Sequence, residues 1–177
     1  MELNEVLKNR RSIRKYKNMK VSDELIHDVI EAAIYAPSWK NSQVARYYVV
    51  RSDDMLNNVK GALPEFNYNN VKDAPVLIVS TYIKNRSGFD RDGNPTNEIG
   101  NGWGCYDCGM HHMNLLLKAQ ELGLSTLVMG IRDEVKIKAL LGISDNEDVL
   151  SVIALGYGDI EPEMPKRKTV EDITKMF

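Results

Sequence analysis

Cysteine is scarce in this chain of 177 residues, which has only Cys105 and Cys108. Two cysteines cannot build a disulfide scaffold, and a structural zinc ribbon needs a second Cys-x-x-Cys pair that the sequence lacks. The fold must therefore rest on a hydrophobic core. Since a typical domain has about 100 to 200 residues, we expect a single domain over residues 1–177.

Long hydrophobic runs and an excess of one charge are also missing. No apolar stretch approaches the roughly 20 residues that span a bilayer, and the N-terminal MELNEVLKNRR is too charged for a secretory signal. The 23 Lys and Arg residues face 25 Asp and Glu residues, a formal net charge of −2, so no overall positive field attracts nucleic acid or anionic lipid. We expect a cytoplasmic protein that has neither nucleic acid nor membrane as a partner.

Several motifs of well-known enzyme classes are absent as well. The chain has no G-x-S-x-G, no H-E-x-x-H, no P-loop and no G-x-G-x-x-G following a strand. Each of these patterns supplies a part that its chemistry requires, so hydrolytic, metalloprotease and Rossmann-type functions are disfavoured.

Helices and strands alternate along the chain. Ser22 suits the N-cap of a helix with an apolar stripe at 3.6-residue spacing, which ends near Ala36 because Pro37 follows. The continuously apolar core of the strand at 74–83 predicts a sheet covered by helices on both faces. Periodicity and glycine stops at 123 and 142 predict further strands at 46–51, 124–129 and 149–157, and helices at 2–10, 55–63, 110–122 and 134–141.

Two segments lack a hydrophobic period. Residues 84–104 contain five glycines and four asparagines, and so long an irregular stretch within one domain is usually functional or mobile, so we predict a lid. Residues 159–177 are mostly polar and predict an arm. Thr169 and Asp172 approximate a capping box for a short helix in this arm, which docks either on its own subunit or on another.

Positive charge is concentrated near both ends of the chain, in Arg10-Arg11-Ser12-Ile13-Arg14 and in Lys166-Arg167-Lys168. Guanidinium groups and a serine hydroxyl make charge-assisted hydrogen bonds to phosphate oxygens, so both clusters could share one phosphate. Taken alone, each cluster is more typical of a solvated basic surface near a chain end.

The loop Ala36-Pro37-Ser38-Trp39-Lys40-Asn41-Ser42-Gln43 follows the best-defined helix and precedes a strand. Its amide and hydroxyl groups are suited to reading the edge of a heterocycle from a rigid mount. Ordinary turn chemistry explains the same residues if the loop is considered alone.

Together these segments resemble the nitroreductase family of FMN-dependent NAD(P)H oxidoreductases, in order along nearly the whole chain. The pieces that carry the resemblance are Arg10 to Tyr16, the Pro37–Gln43 loop, Asp73-Ala74-Pro75, Leu115 to Leu124, and Gly156-Tyr157 leading to Pro165-Lys166-Arg167-Lys168. The resemblance implies an α+β nitroreductase-like fold with a central mixed β-sheet. It also implies a homodimer with two FMN molecules at the interface and with C-terminal arms exchanged between subunits.

The family pattern also implies roles for individual residues. Arg10, Arg11, Ser12 and Arg14 would hold the phosphate, ribityl and pyrimidine side of FMN, joined at the phosphate by Lys166, Arg167 and Lys168. Pro37, Ser38, Asn41 and Gln43 would approach the flavin from the other subunit, and a backbone N–H of Met129-Gly130 would face the ring near N5. The sequence departs from the commonest family pattern in having Val44-Ala45 after the glutamine and the bulky Trp39 inside the loop.

The resemblance implies that FMN passes hydride from NAD(P)H to a small oxidant, such as a nitroaromatic, quinone or enone, in a ping-pong cycle. The flavin carries the hydride transfer, so no side chain is assigned a catalytic role. Phe89, Trp103 and Tyr106 are candidates for contact with the substrate. Two alternatives stay open: a related flavin reaction such as dehalogenation or dehydrogenation, and a flavin-binding redox sensor or partner-binding module.

Cys105, Cys108 and His112 share one face of the predicted central helix at i, i+3 and i+7. Three ligands without a fourth argue against structural zinc, so no metal is expected and core packing is the simpler interpretation. A redox role for the Cys-x-x-Cys pair stays open.

Overall fold

The computed structural model describes residues 2–177. Seven helices and four strands follow one another in the order α1 (Leu3–Asn9), α2 (Asp23–Ile34), β1 (Ala45–Val50), α3 (Asp53–Lys60), α4 (Glu65–Val71), β2 (Val76–Ile83), α5 (Gly102–Glu121), β3 (Ser125–Met129), α6 (Glu134–Leu141), β4 (Glu147–Gly156) and α7 (Val170–Ile173). None of the helices in these residues is long and apolar enough to cross a membrane.

The four strands form one sheet in the order β1-β2-β4-β3. All three strand pairs are antiparallel, so β2 and β4 lie at the centre and β1 and β3 at the two edges. The prediction of a mixed sheet is wrong for these four strands. In residues 2–177 the parallel pairing is confined to the isolated bridge between Ser12 and Thr126. Sequence periodicity cannot distinguish the two arrangements when a central strand is apolar on both sides.

Helices cover both faces of the sheet, as the apolar core of β2 predicts. Leu77 and Val79 point to a cluster that includes side chains of α3, α4 and α6, whereas Val76 and Ile78 point to α2 and α5. This alternation follows from the two-residue period of a strand. The fold is therefore an α+β sandwich in which α5 lies on the buried sheet.

Local signals account for several helix ends. The Ser22 hydroxyl accepts the N–H of Leu25 at 3.3 Å, and Asp133 caps α6 in the same way through Lys136. Gly123 and Gly142 follow α5 and α6 with φ of +75° and +63°, a conformation that favours glycine. The capping box of Thr169 and Asp172 is also formed, and the short helix α7 follows it.

Two helices differ from the prediction. Helix α4 was not predicted, because its sequence EFNYNNV is rich in asparagine, a weak helix former. Helix α5 begins at Gly102, inside the predicted 84–104 lid, although glycines usually indicate a loop. A Cβ at Gly104 would lie 2.6 Å from Cδ2 of Tyr82, so this glycine allows the helix to approach β2 closely.

A buried histidine makes the stability of the fold depend on pH. His112 is 7% exposed and its Nε2 lies 2.6 Å from the Ser80 hydroxyl. Burial, with a smaller effect of His111, lowers the pKa of His112 to about 4. In the unfolded chain this imidazole is protonated near pH 6.5, whereas in the folded protein it stays neutral down to about pH 4. The folded state therefore keeps its full stability above pH 6.5 and loses about 3 kcal/mol of it as the pH falls towards 4.

We therefore expect His112→Gln to lose clearly less stability than the wild type when the pH is lowered from 7 to 4.5. The free energy of unfolding is measured by urea titration at both pH values. The glutamine amide can still bond to Ser80 but cannot bind the extra proton. Equal losses in the two proteins would show that His112 is not responsible.

Candidate functional site

The two ends of the chain meet beside the sheet. Tyr16 and Gly158 form an antiparallel bridge, the N–H of Lys17 donates to Tyr157 at 2.9 Å, and Lys15 and Asp159 form an ion pair at 2.8 Å. This pairing brings the segment after α1 next to the start of the C-terminal tail. The two basic clusters, far apart in sequence, therefore lie on either side of one junction.

The positive charges of Arg10, Arg11 and Arg167 lie close together at this junction. Burial lowers the pKa of Arg10, and the charges of Arg167 and Arg11 lower it further. Within residues 2–177, no ion pair involves Arg10, Arg11, Arg14 or residues 166–168. The buried Nε of Arg11 also has no hydrogen-bond partner. Such an unpaired buried donor among like charges is the environment that an anion such as phosphate would stabilise.

The 10–14 segment is fixed against the edge strand β3. Ser12 bridges Thr126, and the N–H of Ile13 donates to the carbonyl of Thr126 at 3.0 Å. The side chains of Ser12 and Arg14 are exposed. Next to this edge, a cleft of about 460 Å³ is lined by Arg11 together with residues of the junction.

The predicted turn Met129-Gly130 lies at the end of the same strand. Met129 is 3% exposed, so its side chain belongs to the core, whereas Gly130 is exposed. A Cβ at Gly130 would meet no atom within 4 Å. The backbone at Gly130 is therefore open to solvent, whereas its carbonyl accepts a hydrogen bond from Arg132 at 3.1 Å.

The 37–43 loop forms a tight turn before β1. A single helical turn spans Trp39–Asn41, and the Ser38 hydroxyl accepts the N–H of Gln43 at 3.0 Å. Lys40, Asn41 and Gln43 all have positive φ, between 45° and 56°. Pro37, Asn41 and Gln43 are exposed, so a ligand can reach the side-chain amides of Asn41 and Gln43.

The structure does not bring all predicted cofactor residues together within one chain. The 10–14 segment lies along β3, whereas the 37–43 loop leads into β1 at the opposite edge. Three strand spacings separate these edges, about 14 Å. The predicted site residues therefore fall into two groups, one at each edge of the sheet.

Three aromatic rings cluster near the start of α5. The ring centroids of Trp39 and Trp103 are 4.6 Å apart, and Tyr106 meets Trp103 edge-on at 5.6 Å. Trp103 and Tyr106 were predicted as substrate residues, and the structure places Trp39 of the loop with them. Phe89 forms an isolated backbone bridge with Pro95 in the 84–104 segment, and the preceding Gly88 lies against the Trp103 ring.

Sequence reasoning missed Asp107. This residue is 1% exposed, and its carboxylate accepts hydrogen bonds from the N–H of Trp39 and the hydroxyls of Ser42 and Ser87. A signal existed in the sequence, because an acid on the buried face of a helix requires polar partners. The three partners come from other segments, so periodicity alone could not identify them.

Cys108 and His112 are core residues. Cys108 is fully buried, its Sγ lies 3.8 Å from the carbonyl of Thr81, and burial raises the pKa of its thiol to about 12. A thiol that resists ionisation is a poor nucleophile, which disfavours a dithiol role with Cys105. A separate group of His27, Asp28 and Glu31 on α2 has ligand atoms within 4.8 Å of one another, but its side chains lie at the surface.

Comparisons with known proteins agree with the fold. The profile described as "Nitroreductase family" matches residues 7–157. The chain is 34% identical over 164 residues to the "Putative NADH dehydrogenase/NAD(P)H nitroreductase" of Methanothermobacter thermautotrophicus, an alignment covering 89% of this chain and 78% of that protein. It is 30% identical to "Iodotyrosine deiodinase 1" of Rattus norvegicus, covering 97% and 68% respectively.

A solved structure matches over the whole chain. It is described as a "putative nitroreductase in complex with fmn" from Desulfovibrio desulfuricans. The TM-score is 0.78 at 25% sequence identity, and the match covers 100% of this chain and 98% of the other.

Proposed function

Because this chain belongs to the nitroreductase family and is an NAD(P)H-dependent oxidoreductase, we propose that it uses bound FMN to reduce a small oxidant. Bound FMN would supply the hydride-transfer chemistry between NAD(P)H and an oxidant such as a nitroaromatic, quinone or enone. The residues of the chain bind the cofactor and orient the reactants, so no side chain is assigned an acid or base role.

The observation that carries this proposal is the unpaired positive charge where the two chain ends meet. Arg10 and Arg11 are partly buried beside Arg167, and the buried Nε of Arg11 lacks a partner. A phosphate would satisfy this donor and offset the mutual repulsion. We assign the phosphate, ribityl and pyrimidine side of FMN to Arg10, Arg11, Ser12, Arg14, Lys166, Arg167 and Lys168, and the ring near N5 to Met129-Gly130.

We further propose that the active form is a homodimer. The loop residues assigned to the flavin lie at the opposite edge of the sheet from the residues assigned to the FMN phosphate. A second copy of the chain would therefore supply these loop residues, Pro37, Ser38, Asn41 and Gln43, to the same flavin. The tail supports this arrangement, because residues 163–177 are exposed and carry apolar side chains such as Ile173 and Phe177. Exposed apolar groups of this kind are typical of a surface that is covered by a partner. The tail would be the arm that embraces the partner.

Arg14 provides a direct test of the cofactor site. We expect Arg14→Ala to weaken FMN binding by about tenfold or more, since a hydrogen bond to a charged group contributes about 1.5–3 kcal/mol. Turnover should also slow, because the guanidinium stabilises negative charge on the pyrimidine side of the flavin. Flavin content and steady-state rate check this expectation, with Arg51→Ala as control, since Arg51 pairs with Asp23 instead. An Arg14→Ala protein with full flavin content and full rate would contradict the assignment.

The overall function is tested by following NADH and NADPH oxidation in the presence of an artificial acceptor. We expect flavin-loaded protein to oxidise at least one of the two nucleotides continuously and to reduce a quinone or nitroaromatic acceptor. A fully flavin-loaded protein without turnover would contradict the enzymatic function and favour a redox sensor or partner-binding module.

A second candidate reaction is reductive dehalogenation, favoured by the similarity to proteins named iodotyrosine deiodinase, of which the alignments cover 68%. Trp39, Trp103 and Tyr106 offer aromatic surface beside the 84–104 segment, where either type of aromatic substrate could stack. Product analysis separates the reactions, because dehalogenation releases halide from an iodinated phenol and nitroreduction does not.

A further inference from the structure

The carboxylate of Asp107 joins three segments of the chain. Its oxygens each lie 3.1 Å from the backbone N of Trp39, and Oδ2 also accepts from the hydroxyls of Ser42, at 3.3 Å, and Ser87. Ser42 and Ser87 are themselves in contact, with 3.2 Å between their hydroxyl oxygens. One side chain of α5 thus holds both the 37–43 loop and the start of the 84–104 segment.

The turn that Asp107 holds is strained. Lys40 and Gln43 have φ of 45° and 50°. These values lie in the left-handed region, which residues other than glycine and asparagine rarely adopt. Trp39 and Ser42, which bond to Asp107, stand on either side of Lys40 and Asn41. Such a conformation persists only when surrounding contacts hold it, and Asp107 provides contacts on both sides of Lys40.

Asp107 has no ion-pair partner among residues 2–177. Its buried carboxylate is therefore stabilised by one backbone and two hydroxyl donors alone. Hydrogen bonds to a charged acceptor are stronger than those between neutral groups. Replacing the carboxylate by an amide would weaken them and loosen both attached segments.

We propose that Asp107 is a positioning residue that sets the affinity for FMN through the 37–43 loop and the affinity for the oxidant through the 84–104 segment. The proposal rests on the proposed function. It assigns the two effects to different branches of one hydrogen-bond network: Trp39 and Ser42 form the cofactor branch, and Ser87 forms the oxidant branch.

The test measures two constants in four variants. The dissociation constant of FMN is obtained from quenching of flavin fluorescence on addition to flavin-free protein, and KM for menadione is obtained at saturating FMN and nucleotide. We expect Ser42→Ala to raise the FMN dissociation constant, Ser87→Ala to raise KM for menadione, and Asp107→Asn to raise both by about tenfold. Adding Ser87→Ala to Asp107→Asn should raise KM no further, because that branch is already weakened.

Glu147→Gln is the matched control. Glu147 is another buried carboxylate, and it accepts hydrogen bonds from the hydroxyls of Tyr48 and Thr81. Neither of these donors belongs to the cofactor branch or the oxidant branch. We expect it to lower the melting temperature and leave both constants unchanged.

The proposal would be overturned if Asp107→Asn lowered the melting temperature as Glu147→Gln does but left the FMN dissociation constant and KM for menadione at their wild-type values. If Asp107→Asn does not fold, Ser42→Ala and Ser87→Ala provide the test. The separation into branches would be overturned if each serine variant raised the FMN dissociation constant and KM for menadione to the same extent. Wild-type protein that fails to bind FMN would instead overturn the proposed function, and this inference with it.

Discussion

Deletion of residues 160–177 is expected to leave a folded body that has lost both FMN affinity and the dimer. The side chains of residues 163–177 are exposed, so their removal costs the core little, and the Tyr16–Gly158 bridge remains. The deletion removes Arg167 and its neighbouring lysines from the proposed phosphate site. Loss of two or more charge-assisted hydrogen bonds predicts a fall in FMN affinity of about 100-fold or more.

A full-length triple variant separates the two effects of this deletion. Lys166→Gln, Arg167→Gln and Lys168→Gln together should reduce FMN affinity while the apolar tail still holds the dimer. Fluorescence titration gives the affinity, and sedimentation velocity gives the mass. A deleted protein that stays dimeric and binds FMN as the wild type does would contradict both roles of the tail.

Leu115→Ala is expected to produce the largest loss of stability. Leu115 is fully buried on α5 and packs in the same cluster as residues of α2, β2 and β4. Truncation of a buried leucine leaves a cavity and costs about 3 to 4 kcal/mol. In a protein of this size that loss lowers the melting temperature by roughly 10 °C.

The matched control is Leu3→Ala, the same change at a side chain that is 63% exposed on α1. Its effect should stay within about 0.5 kcal/mol. Similar melting temperatures for the two variants, measured by circular dichroism, would show that α5 does not pack on the sheet as described.

Elements with strong local signals could be predicted from the sequence. Helix α6 spans the predicted residues 134–141 because Asp133 caps its start and Gly142 follows its end with positive φ. The apolar residues of β2 correctly predict burial on both faces. In both cases nearest neighbours in the chain determine the structure.

Features that depend on distant residues could not be predicted in this way. Strand β4 begins at Glu147, two residues before the predicted start, because Tyr48 and Thr81 satisfy its buried carboxylate. The hydrogen bonds to Asp107 come from donors that lie up to 68 positions away. The meeting of the chain ends was expected from the family resemblance, whereas the residues that form it, Tyr16 and Gly158, carry no distinctive local pattern.

We propose that the positive side chains of both chain ends bind one FMN where two copies of the chain meet. Sedimentation of the purified protein, followed at the visible absorption of flavin, tests it most directly. We expect FMN, added in an amount equal to that of the chains, to sediment with them at the mass of a dimer. A monomer that sediments without visible absorbance in the presence of FMN would contradict it.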